Sequence, residues 1–248
     1  MGQEAPRRRP SDGGYARGEE TRLRIIATAI PLFGQRSFDG VSTREIAAEA
    51  GVNPPALQYY FDSKEGLYRA CGEYIADQVV EVILPAVERA ERLLADGADA
   101  PALIGAYCAI IETMADLLLG EAEASGWSQF FATEQAGFGA CMALPLLRER
   151  FVDRMQGVCA GIIGRLTGKN AEDLETRLRS LAIEGQLKIF HLGRGATLQC
   201  LGLDGFGPEH VRLIKSIVVD QTRNLLTSLA QRGPREIEAG LNGGRGRD

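Results

Sequence analysis

Residues Gly51–Leu67 read GVNPPALQYYFDSKEGL, and the fold turns on how this stretch is read. Two adjacent prolines usually end a helix, because proline lacks an amide proton and its ring collides with the preceding turn. At the first two positions of a helix that objection disappears, since the first four amides have no intrahelical partner. Asn53, just ahead, is a favoured N-cap whose side-chain oxygen can accept from those free amides. The stretch therefore predicts a short helix, Pro54–Phe61, begun rather than broken by its prolines. Asp62-Ser63 then caps a further helix from Lys64. Leu57 and Phe61, four apart, share one face. Gln58, Tyr59 and Tyr60 must then project elsewhere, toward solvent or a partner.

Upstream, VSTREIAAEA (41–50) predicts a two-turn helix. Ser42 caps it and Glu45, three positions on, completes a capping box; Gly51 ends it. Ile46, Ala47 and Val52 form the apolar surface that Leu57 and Phe61 would meet. Before the linker RSFDGV, about Glu19–Gln35 reads as a first helix with Leu23, Ile26, Ala27, Ile30 and Phe33 on one face and Pro31 as a possible kink. Helix, two-turn helix, glycine turn and short helix is the helix-turn-helix pattern, in which the third helix enters the major groove of duplex DNA.

Charge tests that reading. The 248 residues carry a formal net charge of −5, which by itself disfavours a polyanionic partner. The charge is uneven, however: residues 1–68 hold nine basic and nine acidic side chains, and the rest supplies the whole excess. A neutral head on an acidic body can bind DNA if its basic groups share one face.

Residues 21–68 resemble the DNA-binding domain of TetR-family transcriptional regulators. The resemblance rests on T-x-R-x-I-A-x-x-A-G-V from Thr43, on L-x-x-x-F from Leu57, and on K-E-x-L-Y from Lys64. It implies that Thr43 binds backbone phosphate and that Arg44 reaches a base edge or phosphate. Pro54, Pro55 and Ala56 would touch bases, Tyr59 and Tyr60 phosphate or base, and Lys64 would clamp phosphate. Gln58 departs from the family's usual aromatic and could pair with adenine.

Beyond the head the spacing of apolar residues predicts helices only: Lys64 to Leu94, 101–119, 126–135, 140–167, 172–192 and 208–231. The fold class is all-α, about nine helices. Residues 1–18, with Arg7, Arg8, Arg9 and Arg17, read as a disordered basic arm; 19–66 is the DNA-binding domain, 67–231 an effector-binding and dimerisation domain, and 232–248 a disordered tail. No apolar run approaches the roughly 18 residues that cross a bilayer, and no secretory signal is evident, so the expected location is cytoplasmic, with no membrane partner.

One short helix cannot select a site among a genome of competitors, so a homodimer on a palindromic operator is expected. Leu178, Leu181, Gly185 and Ile189 on one helix and Ile214, Ile217, Val218 and Leu225 on another are the candidate interface. WSQFFATEQAGFGACMALPLLRERF (127–151) resembles a CecR-type C-terminal domain. With the family's habit it implies an unknown small-molecule effector held by Tyr107, Met114, Trp127, Phe130, Phe131, Glu134, Phe138, Met142, Phe151 and Gln186. The expected function is a ligand-responsive repressor; the alternatives are a constitutive DNA-binding regulator and, remotely, an enzyme using the C-terminal cavity. No nucleophile elbow, phosphate loop or metalloprotease motif supports an enzyme, and no cofactor is implied. The scattered Cys71, Cys108, Cys141, Cys159 and Cys200 read as buried free thiols.

Overall fold

The computed structural model describes the backbone of residues 12–120, 126–140 and 143–242; the described residues form helices and turns, with no strand among them. In chain order the helices are α1 Asp12–Arg36, α2 Thr43–Glu49, α3 Pro54–Phe61, α4 Lys64–Ala95, α5 Ala100–Leu119 and α6 Trp127–Gln135. There follow α7 Ala143–Leu147, a π-helical turn Arg148–Val152, α8 Asp153–Thr167, α9 Leu174–Leu192, α10 Arg194–Leu201 and α11 Pro208–Asn242.

The expected boundaries hold closely from α2 to α6 and fail at the two ends. α1 starts at Asp12, so residues 12–18 are helix rather than arm, and α11 runs to Asn242, past the expected stop at 231. In both cases glycine and charge content suggested irregular chain, while the helix simply continues from a well-packed segment. The buried side of α1 is Ile25, Ile26, Ala29, Ile30 and Phe33; Leu23 and Ala27 lie on its exposed side. α10 was not expected at all, its glycines masking the pattern.

Two cores organise the chain. One joins α4's second half, α5, α8, α9 and α11, with Tyr107, Ile110, Ile111, Cys159, Ile162 and Leu226 at its centre. α5 is long and apolar enough to cross a membrane by length and composition, contrary to the expectation above. Here it is the central strut of this core, packed by its neighbours along most of its length. The other core holds the head, and it reaches beyond residue 66: Tyr68, Cys71 and Ile75 of α4, Phe130 and Phe131 of α6 and Ala143 of α7 join Ile26, Phe33, Ile46, Leu57 and Phe61. Cys71, Cys108 and Cys159 are buried thiols as expected, whereas Cys200 is exposed; Cys141 lies outside the described residues.

α6 is docked on the end of α1. Thr133 Oγ1 donates to the Gly34 carbonyl at 2.8 Å, and Phe38 N donates to Phe138 O at 3.2 Å. These bonds link the end of α1 and the linker behind it to α6. Gly34 is required by the approach: a Cβ there would stand 2.9 Å from Phe130 N. Tyr68 donates its hydroxyl to Glu134, whose other oxygen accepts from Ala143 N at 3.0 Å. Phe130 stacks on the Tyr68 ring, with centroids 4.7 Å apart.

Candidate functional site

The recognition segment is built by local hydrogen bonds. Ser42 and Glu45 make the full capping box: Glu45 N donates to Ser42 Oγ at 3.2 Å and Ser42 N to Glu45 Oε2 at 2.8 Å. The Ser42 amide and, at 2.7 Å, the Ser42 hydroxyl both donate to the Glu45 carboxylate and, with the Arg36 guanidinium at 3.0 Å, hold it down at a pKa of about 2. Gly51 turns the chain at φ +65°, a conformation that costs other residues about 1 kcal/mol. Asn53 Oδ1 accepts from Ala56 N at 3.0 Å and starts α3 with both prolines in its first turn. Ser63 Oγ likewise accepts from Gly66 N at 3.0 Å to start α4.

Leu57 and Phe61 are the buried residues of α3. Burying those two side chains contributes about 1.5–3 kcal/mol each and fixes which sides of the helix remain free. Pro54, Pro55, Gln58 and Tyr59 are exposed, Tyr59 at 82%. Ala56 and Tyr60 are half-buried, with the Tyr59 and Tyr60 rings edge to face at 5.2 Å. Gln58 is engaged within the chain: its Nε2 donates to Asp62 O at 2.6 Å, so pairing with a base requires exchange of that bond. On α2, Thr43 is half-buried and Arg44 exposed. Lys64 Nζ stands 4.5 Å from the centre of the Phe38 ring. Phe38, in the linker after α1, was not among the expected site residues; an aromatic in an otherwise polar linker was the available signal. α2, which carries Thr43 and Arg44, packs against α3, and α3 against α4, which begins with Lys64.

The expected effector residues are not brought together. Tyr107, Met114 and Phe151 belong to the body core, while Trp127, Phe130, Phe131 and Glu134 belong to the head core. Phe138 is 67% exposed, Gln186 is half-buried, and Met142 lies outside the described residues. The reason is packing: the aromatic face of α6 is taken by α1 and α4, which sequence spacing alone does not reveal. A groove of about 410 Å³ at the far end of the body is lined by Ala100, Pro101, Ile104, Arg223, Thr227, Ala230 and Gln231 and shares none of these residues.

The expected interface residues divide as well. Ile214 and Val218 lie in the body core, because α11 turns that side toward α5. Leu178, Leu181, Ile189, Ile217 and Leu225 are exposed, and so are Leu174, Leu192 and Leu213. Gly185 is half-buried, with open space where a Cβ would stand. α9 buries Thr176, Ser180 and Glu184 beside Ile183 and Leu187, while four leucines and Ile189 stay exposed, unlike an ordinary surface helix. Ser180 Oγ lies 3.4 Å from the Tyr107 hydroxyl and donates to Glu184 at 3.3 Å; Lys188 Nζ meets Glu184 at 3.4 Å. Burial holds the Tyr107 phenol well above its ordinary pKa.

A capped, proline-led helix presented on a helix-turn-helix head, carried by an all-helical body, is the architecture of a DNA-binding transcriptional regulator. The family of bacterial regulatory proteins of the tetR type matches residues 25–71, and the C-terminal domain of the HTH-type transcriptional dual regulator CecR matches residues 103–229. The CecR protein of Shigella flexneri is 34% identical over 220 residues, covering 87% of this chain and 96% of its own. The HTH-type transcriptional repressor BdcR of Escherichia coli is 41% identical over 56 residues, 22% of this chain and 28% of its own. Among solved structures, AibR in complex with isovaleryl coenzyme A and operator DNA superposes with a TM-score of 0.58 at 16% identity, over 81% of this chain and 97% of AibR. The chain belongs to the TetR family and carries a CecR-type C-terminal domain.

Proposed function

We propose that the protein works as a two-fold dimer on a palindromic operator, represses from it, and is released by a small-molecule effector. The observation that carries the DNA-reading part is the exposed side of α3. Pro54, Pro55, Gln58 and Tyr59 are exposed and Ala56 half-exposed on a helix fixed by Leu57 and Phe61. In this reading α3 lies in the major groove. Pro54, Pro55 and Ala56 meet thymine methyls, and Arg44 reaches guanine or phosphate. Thr43, Tyr59, Tyr60 and Lys64 hold the backbone, which fixes register without reading sequence. Release follows if the effector binds the DNA-incompetent arrangement better, by no more than that differential affinity. A DNA operator as target supports a cytoplasmic location.

The dimer is supported by helix α9, which is apolar on two sides. A helix that buries Ile183 and Leu187 with Thr176, Ser180 and Glu184, and still exposes Leu174, Leu178, Leu181 and Ile189, is unfavourable alone and favourable once a second copy covers the exposed apolar side. Leu213, Ile217 and Leu225 of α11 extend that surface, giving a four-helix interface. Sedimentation should show a dimer that Leu178→Glu with Leu181→Glu converts to monomer.

DNA reading is tested by fluorescence anisotropy with the DNA upstream of the protein's own coding region. Arg44→Ala with Tyr60→Ala should abolish binding at unchanged far-UV circular dichroism; unchanged affinity would overturn the assignment. A constitutive regulator is the second reading, favoured by the division of the expected pocket residues between two packed cores. Native mass spectrometry of gently purified protein decides between them: a retained small molecule that is displaced as operator binds supports the effector, and a bare dimer that binds fully supports the constitutive form.

A further inference from the structure

Lys64 is held by an aromatic ring of its own chain. It stands at the first position of α4, where the helix's partial positive charge disfavours a cation. It is half-buried and makes no ion pair among the described residues. Its partner is Phe38: the ammonium lies over that ring, 4.5 Å from the centre. The face of an aromatic ring carries negative potential and attracts such a group.

Phe38 is itself fixed from several sides. Its ring stacks on Phe33, with centroids 5.9 Å apart and 23° between the planes, and meets Tyr68 edge-on at 5.2 Å. Tyr68 lies one turn beyond Lys64 on α4, so both reach the ring from the same side of that helix. The backbone holds Phe38 as well. Its N–H donates to Phe138 O at 3.2 Å, and Ser37 just before it turns the chain at φ +64°, where residues other than glycine are uncommon.

The consequence lies in what binding costs. A lysine on a solvated helix end samples many rotamers and loses them on meeting a phosphate. An ammonium resting on a ring has given up much of that freedom already. Its three N–H groups cannot all face the ring, so some remain for a phosphate oxygen. A carboxylate partner, such as Glu45 at 3.0 Å from Arg36, competes with phosphate for the cation; a neutral ring does not.

We infer that Phe38 is a positioning residue for DNA binding: its ring sets the Lys64 ammonium where the phosphate clamp needs it. This rests on the phosphate-holding role proposed above for Lys64. Phe38 acts through that side chain and not by touching DNA.

Two measurements test it. The first needs neither DNA nor a Phe38 variant: the lysine side-chain signals are recorded by NMR, and Lys64→Ala identifies the one that belongs to Lys64. Its ε-methylene protons should lie upfield of those of the other lysines, displaced by the ring current of Phe38. A Lys64 signal that coincides with the others overturns the inference.

The second is anisotropy with the duplex from upstream of the protein's own coding region. Phe38→Leu keeps an apolar side chain without a ring and should weaken binding about two- to fivefold per half-site, hence about four- to 25-fold for a dimer. Phe38→Tyr restores a ring and should bind as the wild type does. In a Lys64→Ala background, Phe38→Leu should cost nothing further. Equal losses with and without Lys64, or no loss in either, overturn the inference and leave the Lys64 clamp standing. Lys64→Ala that binds as tightly as the wild type removes the clamp itself, and the positioning role with it.

Discussion

Helices α3 and α6 carry three aromatic residues each and put them to opposite uses. In α3 they are Tyr59, Tyr60 and Phe61, and only Phe61 is buried; in α6 they are Trp127, Phe130 and Phe131, with both phenylalanines buried and Trp127 packed edge-on to Tyr74. Length does not separate them, at eight and nine residues. Their surroundings do. α3 is held through Leu57 and Phe61, with Tyr60 half-buried beside them and Pro54, Pro55, Gln58 and Tyr59 left exposed. α6 lies against α1, α4 and α7, so its aromatic side becomes part of the head's foundation. An aromatic on a short helix is thus left open to a partner or packed into the core according to what the rest of the chain places beside it.

That contrast can be broken at several points. Phe130→Ala should cost about 3–5 kcal/mol, the usual range for truncating a buried phenylalanine, read as a large fall in denaturation midpoint by chemical unfolding. A loss below about 1 kcal/mol would mean that α6 is not integral to the head. Gly34→Ala is the next largest: the new methyl meets Phe130 backbone at 2.9 Å, so helix propensity gained on α1 is outweighed by about 1–3 kcal/mol of overpacking. Thermal unfolding checks it, and stabilisation would show that the α1–α6 contact yields easily.

Tyr59→Ala should behave in the opposite way. Exposed as it is, its removal should change stability by no more than about 0.5 kcal/mol while weakening operator affinity about tenfold, near the 1.4 kcal/mol expected of one good contact. Equal loss of stability would place Tyr59 with α6's aromatics after all. The smallest effect concerns Glu45. Its folded carboxyl titrates near 2, below the ordinary 4.5, so its contribution is present above the ordinary value and is lost as pH falls from about 4.5 through about 2. Glu45→Gln should flatten the acid limb of the stability curve in that window and leave neutral-pH DNA binding intact.

Much of the head was legible because its determinants are local. Asn53 before Pro54-Pro55, Ser42 with Glu45, and Gly51 between them act through bonds spanning three residues or fewer, and α3 falls on the expected Pro54–Phe61. The body was legible as helices but not as an arrangement. α9 has enough leucine and isoleucine to suggest burial on any side, and only its neighbours reveal that Ser180 and Glu184 point inward while Leu178 and Ile189 point out. Ile214 and Val218 were assigned to the same surface as Ile217 and Leu225, since one helix face is broad enough to hold them all. The pocket failed for a like reason: its residues share a composition without sharing a place.

From its sequence alone this chain determined where α2 to α6 begin and end and which short one leads with prolines, because capping and backbone sterics act between near neighbours. The tertiary structure alone decided that α6 braces the head, that the expected pocket residues divide between two cores, and that α9 turns Leu174, Leu178, Leu181 and Ile189 outward. Those outcomes depend on burial between segments dozens of residues apart, and burial belongs to pairs of surfaces, not to either one.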